Sequence, residues 1–279
     1  MRIGVTAPGG PILPEVAEKT LAWAAEHRPG VEIVFHPHCT MGHGHFAGPD
    51  AVRASALLEF ANDDGFDAIW FARGGYGSFR IAEDVLAKLN ASARRKAWLG
   101  YSDLGVFLSG LTRDGFERVA HGPMPGDIRR EGGEQAIARA LNWLVDGDES
   151  ALEPSLLEDP RPAAAFNLIV LSHLMGTPLE PKLDGCVLML EEVFEAMYRI
   201  DRALGHVLSV PAMRRVAGLR LGRCDPVTPN EPDFAQTEEQ LFRFWCERAG
   251  VPYLGRADIG HDVCNRVVPF GPRQASSRK

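Results

Sequence analysis

Trp98-Leu99-Gly100-Tyr101-Ser102-Asp103-Leu104 is a short apolar run that ends at Gly-Tyr-Ser-Asp and passes directly into a helical stretch over 104–111. A serine at a strand-to-helix turn projects its hydroxyl from the sheet edge, and the first N–H groups of the helix point at an adjacent oxyanion. On this reading Ser102 is a nucleophile and the stretch is its mount. The same residues also read as an ordinary helix N-cap, with Ser102 or Asp103 accepting helix N–H bonds. Leu104 stands where the Gly-x-Ser-x-Gly pattern has its second glycine, so the turn alone leaves both readings open.

The segments before it alternate. Residues 2–7 read as a strand, Pro14–His27 as an amphipathic helix, 31–36 as a second strand, 50–63 as a helix and 68–72 as a buried strand, each set off by Gly or Pro. That last strand empties into Arg73-Gly74-Gly75-Tyr76-Gly77, ahead of a helix over 78–89. Clustered glycines at a strand's carboxyl end permit close backbone approach and expose N–H groups as an anion nest, or simply make a tight turn. A dinucleotide fingerprint fails, because the pattern is Gly-Gly-x-Gly and follows the third strand rather than the first. Ligands of open α/β sheets bind beyond the carboxyl ends of strands, so the glycine loop and the Ser102 turn are expected to share one crevice. A strand over 118–121 and a helix over 132–145 complete a first domain of residues 1–146.

The chain has 279 residues, 45% hydrophobic and 24% charged, enough for one large core or two small ones. Net charge is −7 with the basic residues dispersed, which argues against nucleic acid and anionic lipid as partners. The opening apolar run, 1–7, is too short for a signal peptide, and no stretch reaches the roughly eighteen apolar residues of a membrane span. A soluble, cytoplasmic protein is expected. Cys39, Cys186, Cys224, Cys246 and Cys264 are scattered and odd in number, which predicts reduced thiols. His36, His38, Cys39, His43 and His45 crowd one loop, but their spacing matches no metal motif, and no metal is assigned.

After residue 146 comes a proline-bearing stretch without period, 147–162, read as a linker to a second domain of residues 163–279. There 167–175 is a short helix, 185–190 an apolar strand delivering Glu191-Glu192 toward a cleft, 194–208 a helix and 217–221 a strand. Glu238–Ala249 is a further helix, 252–254 a strand, and Gly260-His261-Asp262 a loop before a last strand over 266–269. A serine hydroxyl needs a base, and an imidazole needs a carboxylate to fix its tautomer. Ser102, His261 and Glu191 would supply those parts, in the order serine, acid, histidine.

Taken together, Arg73-Gly74-Gly75-Tyr76-Gly77, Gly100-Tyr101-Ser102-Asp103, Gly176-Thr177-Pro178, Leu190-Glu191 followed by Tyr198-Arg199-Ile200-Asp201-Arg202, and Gly260-His261 with Pro269-Phe270-Gly271 resemble the LD-carboxypeptidase family of serine peptidases. The likeness runs from residue 2 to about residue 271. It implies an α/β fold, with a Rossmann-like N-terminal domain on a parallel sheet and a smaller β-rich α/β C-terminal domain. It further implies Ser102 as nucleophile, Glu191 as orienting acid, His261 as general base, and an oxyanion hole from the backbone N–H groups of Asp103 and of Gly74 or Gly75. The implied reaction is cytoplasmic release of terminal D-alanine from muropeptide tetrapeptides, by a homodimer without cofactor. Arg73, Tyr101 and Asn167 are the expected substrate contacts. Ala165-Phe166 replaces the family's usual Gly-Gly before Asn167, a bulk expected to narrow substrate choice, and Glu192 stands where Asp is usual. A branch acting on microcin-type peptidyl-nucleotides resembles the chain equally at Ser102, Glu191 and His261. A non-catalytic receptor for peptidoglycan fragments is the reading from another class.

Overall fold

The structure, a computed structural model, describes residues 1–272. β1 (Arg2–Thr6), β2 (Glu32–Phe35), β3 (Ala68–Phe71), β4 (Ala97–Gly100) and β5 (Val119–His121) form a parallel sheet in the order β5-β4-β3-β1-β2. β3 and β4 are buried at every residue, as their uninterrupted apolar sequences require when helices cover both faces. One face packs Val16, Ala24, Ile137 and Leu141 against Val5 and Trp70, and the other packs Leu57, Phe60 and Phe107 against Ile69 and Trp98. The strand order reverses between β1 and β3, where a doubly wound sheet opens its crevice. The loops after these two strands meet so closely that a Cβ on Gly9 would lie 2.0 Å from the Gly75 carbonyl oxygen.

A second, all-parallel sheet holds β6 (Ala163–Asn167), β7 (Val187–Glu192), β8 (Gly218–Cys224) and β9 (Tyr253–Arg256), in that order. The helices Leu168–Leu174, Met197–Ser209 and Glu238–Ala249 pack on one another beside it. The two sheets share one core, since buried Phe71, Trp98 and Phe107 belong to the same cluster as Phe166, Leu190 and Leu204.

The structure corrects several expectations. The last strand, β10 (Val268–Pro269), is two residues long and leaves the second sheet to pair antiparallel with β5 at the edge of the first. The stretch 147–162 is no free tether: it forms a turn at Glu149–Ala151 and a helix at Ser155–Glu158, buries Leu152 and Leu156, and bridges Leu152 to Val267. The helix expected over 78–89 divides into a tight turn, Ser78–Arg80, and the short helix Ala82–Leu86. Among the described residues no helix is long and apolar enough to cross a membrane, and none of the five cysteines is paired.

Candidate active site

β4 delivers the serine. Gly100 is needed at its end because a Cβ there would come within 2.7 Å of the Phe71 ring. Ser102 then takes φ +63°, a left-handed conformation that costs an L-residue on the order of 1–3 kcal/mol and is found where a side chain must be held out of a turn. The chain proceeds through the turn Ser102–Leu104 into the helix Gly105–Arg113. The close approach that a second glycine would permit falls one residue later, at Gly105, where a Cβ would meet the Phe166 ring at 3.1 Å.

Ser102 Oγ lies 2.9 Å from His261 Nε2, and His261 Nδ1 lies 2.5 Å from Glu191 Oε2. With Nδ1–H donating to the carboxylate, Nε2 is left to accept the serine proton. Glu191, expected to face the cleft from its strand end, is instead fully buried against the imidazole. A register shift between β7 and β8 at Leu190 to Glu192 re-aims this strand end. Gly222 makes room opposite, since a Cβ there would lie 2.8 Å from that of Glu191. Burial works against a charge on His261, but the Glu191 carboxylate, aided by Glu192 and Asp127, outweighs it and holds the imidazole above its ordinary value of 6.5.

The glycine loop abuts the serine, as a Cβ on Gly74 would be 2.8 Å from both Cβ and Oγ of Ser102. Gly75, at φ +96°, turns the chain against the loop after β1. The Asp103 side chain fastens the two loops, its Oδ2 accepting the Ser78 N–H at 2.8 Å. Arg53, fully buried, donates to the carbonyls of Gly48, Gly77 and Pro8 and so binds three loops at this edge.

These loops border a cleft of about 430 Å³ into which Ser102, His261, Gly74, Gly75, Arg73 and Tyr101 all open. Arg73 donates from Nη1 to the Pro11 carbonyl at 3.0 Å and from Nε to the Gly74 carbonyl at 3.2 Å, so it braces the glycine loop. Tyr101 lays its ring 5.0 Å from that of His261 and donates its hydroxyl to Asp127 Oδ1 at 2.8 Å. Asn167 is absent from the cleft. Its Oδ1 caps the next helix through the Val170 N–H, and its Nδ2 donates to Glu192 Oε1 at 2.7 Å. Glu192, pushed up to about 7 by burial and then by the neighbouring Glu191 charge, also accepts from the backbone of Ile169 and Val193. Ala165 and Phe166 are likewise core, with Phe166 stacked edge-on to Phe270, and do not narrow the cleft.

Reading single motifs missed the far wall. Met124, Gly126, Asp127, Arg129 and Arg130 line it, and the loop follows β5, so the rule that pointed to the loops after β3 and β4 applies to it equally. Asn265 is a second omission: its Oδ1 accepts from the Gly260 N–H at 3.2 Å and lies 3.0 Å from His121 Nε2. Burial lowers His121 to about 4, so the neutral ring donates here and ties the residue before His261 to the end of β5. The histidine-rich loop has no part in the site. His38 Nε2 accepts the Ala7 N–H, its Nδ1 meets His36, and the Cys39 thiol donates to the Val5 carbonyl. Among the described residues no group of three or more His, Cys, Asp or Glu side chains is disposed to hold a metal.

Fold and site together define a hydrolase-type α/β protein, with serine, histidine and carboxylate drawn together from two parallel sheets. The chain belongs to the LD-carboxypeptidase family, whose N-terminal domain matches residues 3–122 and whose C-terminal domain matches residues 164–275. It is a peptidase by that membership. It is 28% identical to the murein tetrapeptide carboxypeptidase of Pseudomonas aeruginosa, over 97% of this chain and 91% of the relative. Its fold matches the crystal structure of muramoyltetrapeptide carboxypeptidase from Oxalobacter formigenes with a TM-score of 0.80 at 21% identity, covering 97% of this chain and 93% of the other. A microcin C7 self immunity protein solved with aspartyl sulfamoyl adenosine has the same fold, with a TM-score of 0.78 at 15% identity and coverage of 97% and 91%.

Proposed function

We propose that the protein is a serine LD-carboxypeptidase that removes the terminal D-alanine from muropeptide tetrapeptides in the cytoplasm, in recycling of peptidoglycan. The observation that carries this is the unbroken hydrogen-bonded chain from Ser102 through His261 to Glu191 at the head of the cleft. Ser102 Oγ attacks the carbonyl on the L-centre side while its proton passes to His261 Nε2, and Glu191 stabilises the imidazolium that results. The negative charge that grows on the carbonyl oxygen is met by the backbone N–H groups of Asp103 and of Gly74 or Gly75. Each such donor is worth about 10²–10³ in rate. His261 then gives its proton to the departing D-alanine amine, and water, deprotonated by the same imidazole, releases the acyl group from Ser102. The name of the Pseudomonas relative favours the muropeptide. Assembly as a homodimer is proposed on the family likeness alone.

The test is D-alanine release from purified murein tetrapeptide by the intact protein and by Ser102→Ala. Release is expected from the first, with a loss on the order of 10⁴ or more in the second. No release by the intact protein, with cleavage of a peptidyl-nucleotide, would move the substrate to the microcin-type branch. Tight binding of the muropeptide without turnover of either substrate would make the protein a receptor.

A further inference from the structure

The two walls of the cleft differ in how their cations are used. Arg73, on the glycine-loop side, gives Nε and Nη1 to the carbonyls of Gly74 and Pro11, which ties it to the loops on the oxyanion side. Arg129, on the far wall, faces Glu15 at 3.4 Å. Arg130 stands apart, for it donates from Nη1 to the backbone carbonyl of His261 itself and keeps 39% of its side chain exposed. Its nearest acid is Asp127, at 3.6 Å. That carboxyl is already engaged, accepting the Tyr101 hydroxyl at Oδ1 and the Met124 N–H at Oδ2, and burial pushes it toward the protonated form. A guanidinium has five N–H donors in a planar fork suited to a carboxylate, and most of Arg130's fork is uncommitted to Asp127 or to His261.

Chemistry fixes which side of the site this cation serves. The acyl oxygen lies toward Gly74 and Asp103, so the leaving group lies on the opposite side, within hydrogen-bond reach of His261 Nε2, from which it takes its proton. In an amino-acid leaving group the carboxylate is joined to the amine through a single carbon, which places its oxygens about 2.7–3.6 Å from that nitrogen. The cation anchored on the backbone of the same histidine is Arg130.

We propose that Arg130 binds the free carboxylate of the leaving residue and so restricts the site to the C-terminal residue of its substrate. This rests on the peptidase reading above and deepens it. Arg130 is a specificity residue: a peptide extended beyond that residue, or one ending in an amide, lacks the charge that the guanidinium reads.

The experiment compares kcat/KM for one murein tetrapeptide with a free C-terminal carboxylate and for the same peptide as its C-terminal amide, with the intact protein, Arg130→Gln and Arg130→Lys. The intact protein is expected to favour the acid by about 10–100-fold, the range of a charge-assisted hydrogen-bonded pair. Arg130→Gln is expected to lose that preference because the acid falls while the amide changes less than about threefold, and Arg130→Lys to recover part of it. An equal fall on both substrates would show that Arg130 only holds the His261 loop, and an unchanged preference would place the carboxylate elsewhere; either overturns the proposal. Failure of the intact protein to cleave either peptide would instead sink the muropeptide carboxypeptidase reading, and this inference with it.

Discussion

Glu191 has one oxygen on His261 and a second, Oε1, buried without a hydrogen-bond partner among the described residues. An ionised carboxylate so placed is costly unless a cation compensates it, and the group that meets it among the described residues is the imidazole. The protonated form of His261 is therefore the one this pocket favours, and its raised pKa follows. The sign for catalysis is fixed: the base form is lost as pH falls through that raised value, so the acid limb of kcat/KM is expected above 6.5. In Glu191→Gln the largest charge opposing burial is gone, and only Glu192 and Asp127 remain to offset burial at the imidazole. The residual activity is expected to be about 10⁴ lower, with its acid limb moved to lower pH, below that of the intact protein. An acid limb that stays in place would mean that Glu191 does not govern the titration of His261. At this scale the sequence could be read for identity but not for partnership. Ser102 and His261 are 159 residues apart, and only the set of family motifs joined them; no local pattern encodes which distant carboxylate an imidazole will meet.

Asn167 shows what a single element adds. It ends β6, opens the helix Leu168–Leu174 and fastens both to β7 through the buried Glu192 carboxylate. Removing it leaves the Val170 N–H uncapped and Glu192 short of one donor. Asn167→Ala is expected to cost about 1–3 kcal/mol in urea unfolding, while the KM for the tetrapeptide stays within about twofold of the intact protein. A large rise in KM without loss of stability would restore it to the substrate. Helices with local punctuation were legible. Pro14 at the first turn fixes the start of Pro14–His27, and Glu238–Ala249 lies between a Thr237/Gln240 capping box and Gly250 in a left-handed conformation. β6 was not, because Ala163-Ala164-Ala165-Phe166 carries no β-branched residue and no alternation. Its fully buried place between sheets is what makes small residues suitable there, and that is a property of the packing.

The whole molecule is closed by the segment after His261. β10 adds an edge strand to the first sheet, and just before it Val267 bridges back to Leu152. The core passes without interruption from Phe107 to Phe166 and Leu190. The two halves are therefore expected to unfold in one cooperative transition, with tryptophan fluorescence, to which buried Trp70 and Trp98 of the first half contribute, coinciding with far-UV circular dichroism of the whole. Two separated transitions would show that the shared core does not couple them. The alternating strands and helices, and the crevice shared by the glycine loop and the Ser102 turn, were legible in the sequence, whereas the return of β10 was not, since two residues of strand leave no periodic trace. That return also sets a timetable. Ribosomes add about 5–20 residues per second, so the 159-residue interval between Ser102 and His261 corresponds to roughly 8–30 s in which β1 to β4 are already made and the serine has no histidine to accept its proton. On the proposed mechanism, a nascent chain, or one cut short before residue 261, carries the serine in an inert state, and hydrolytic competence is expected only with the segment that seals the fold.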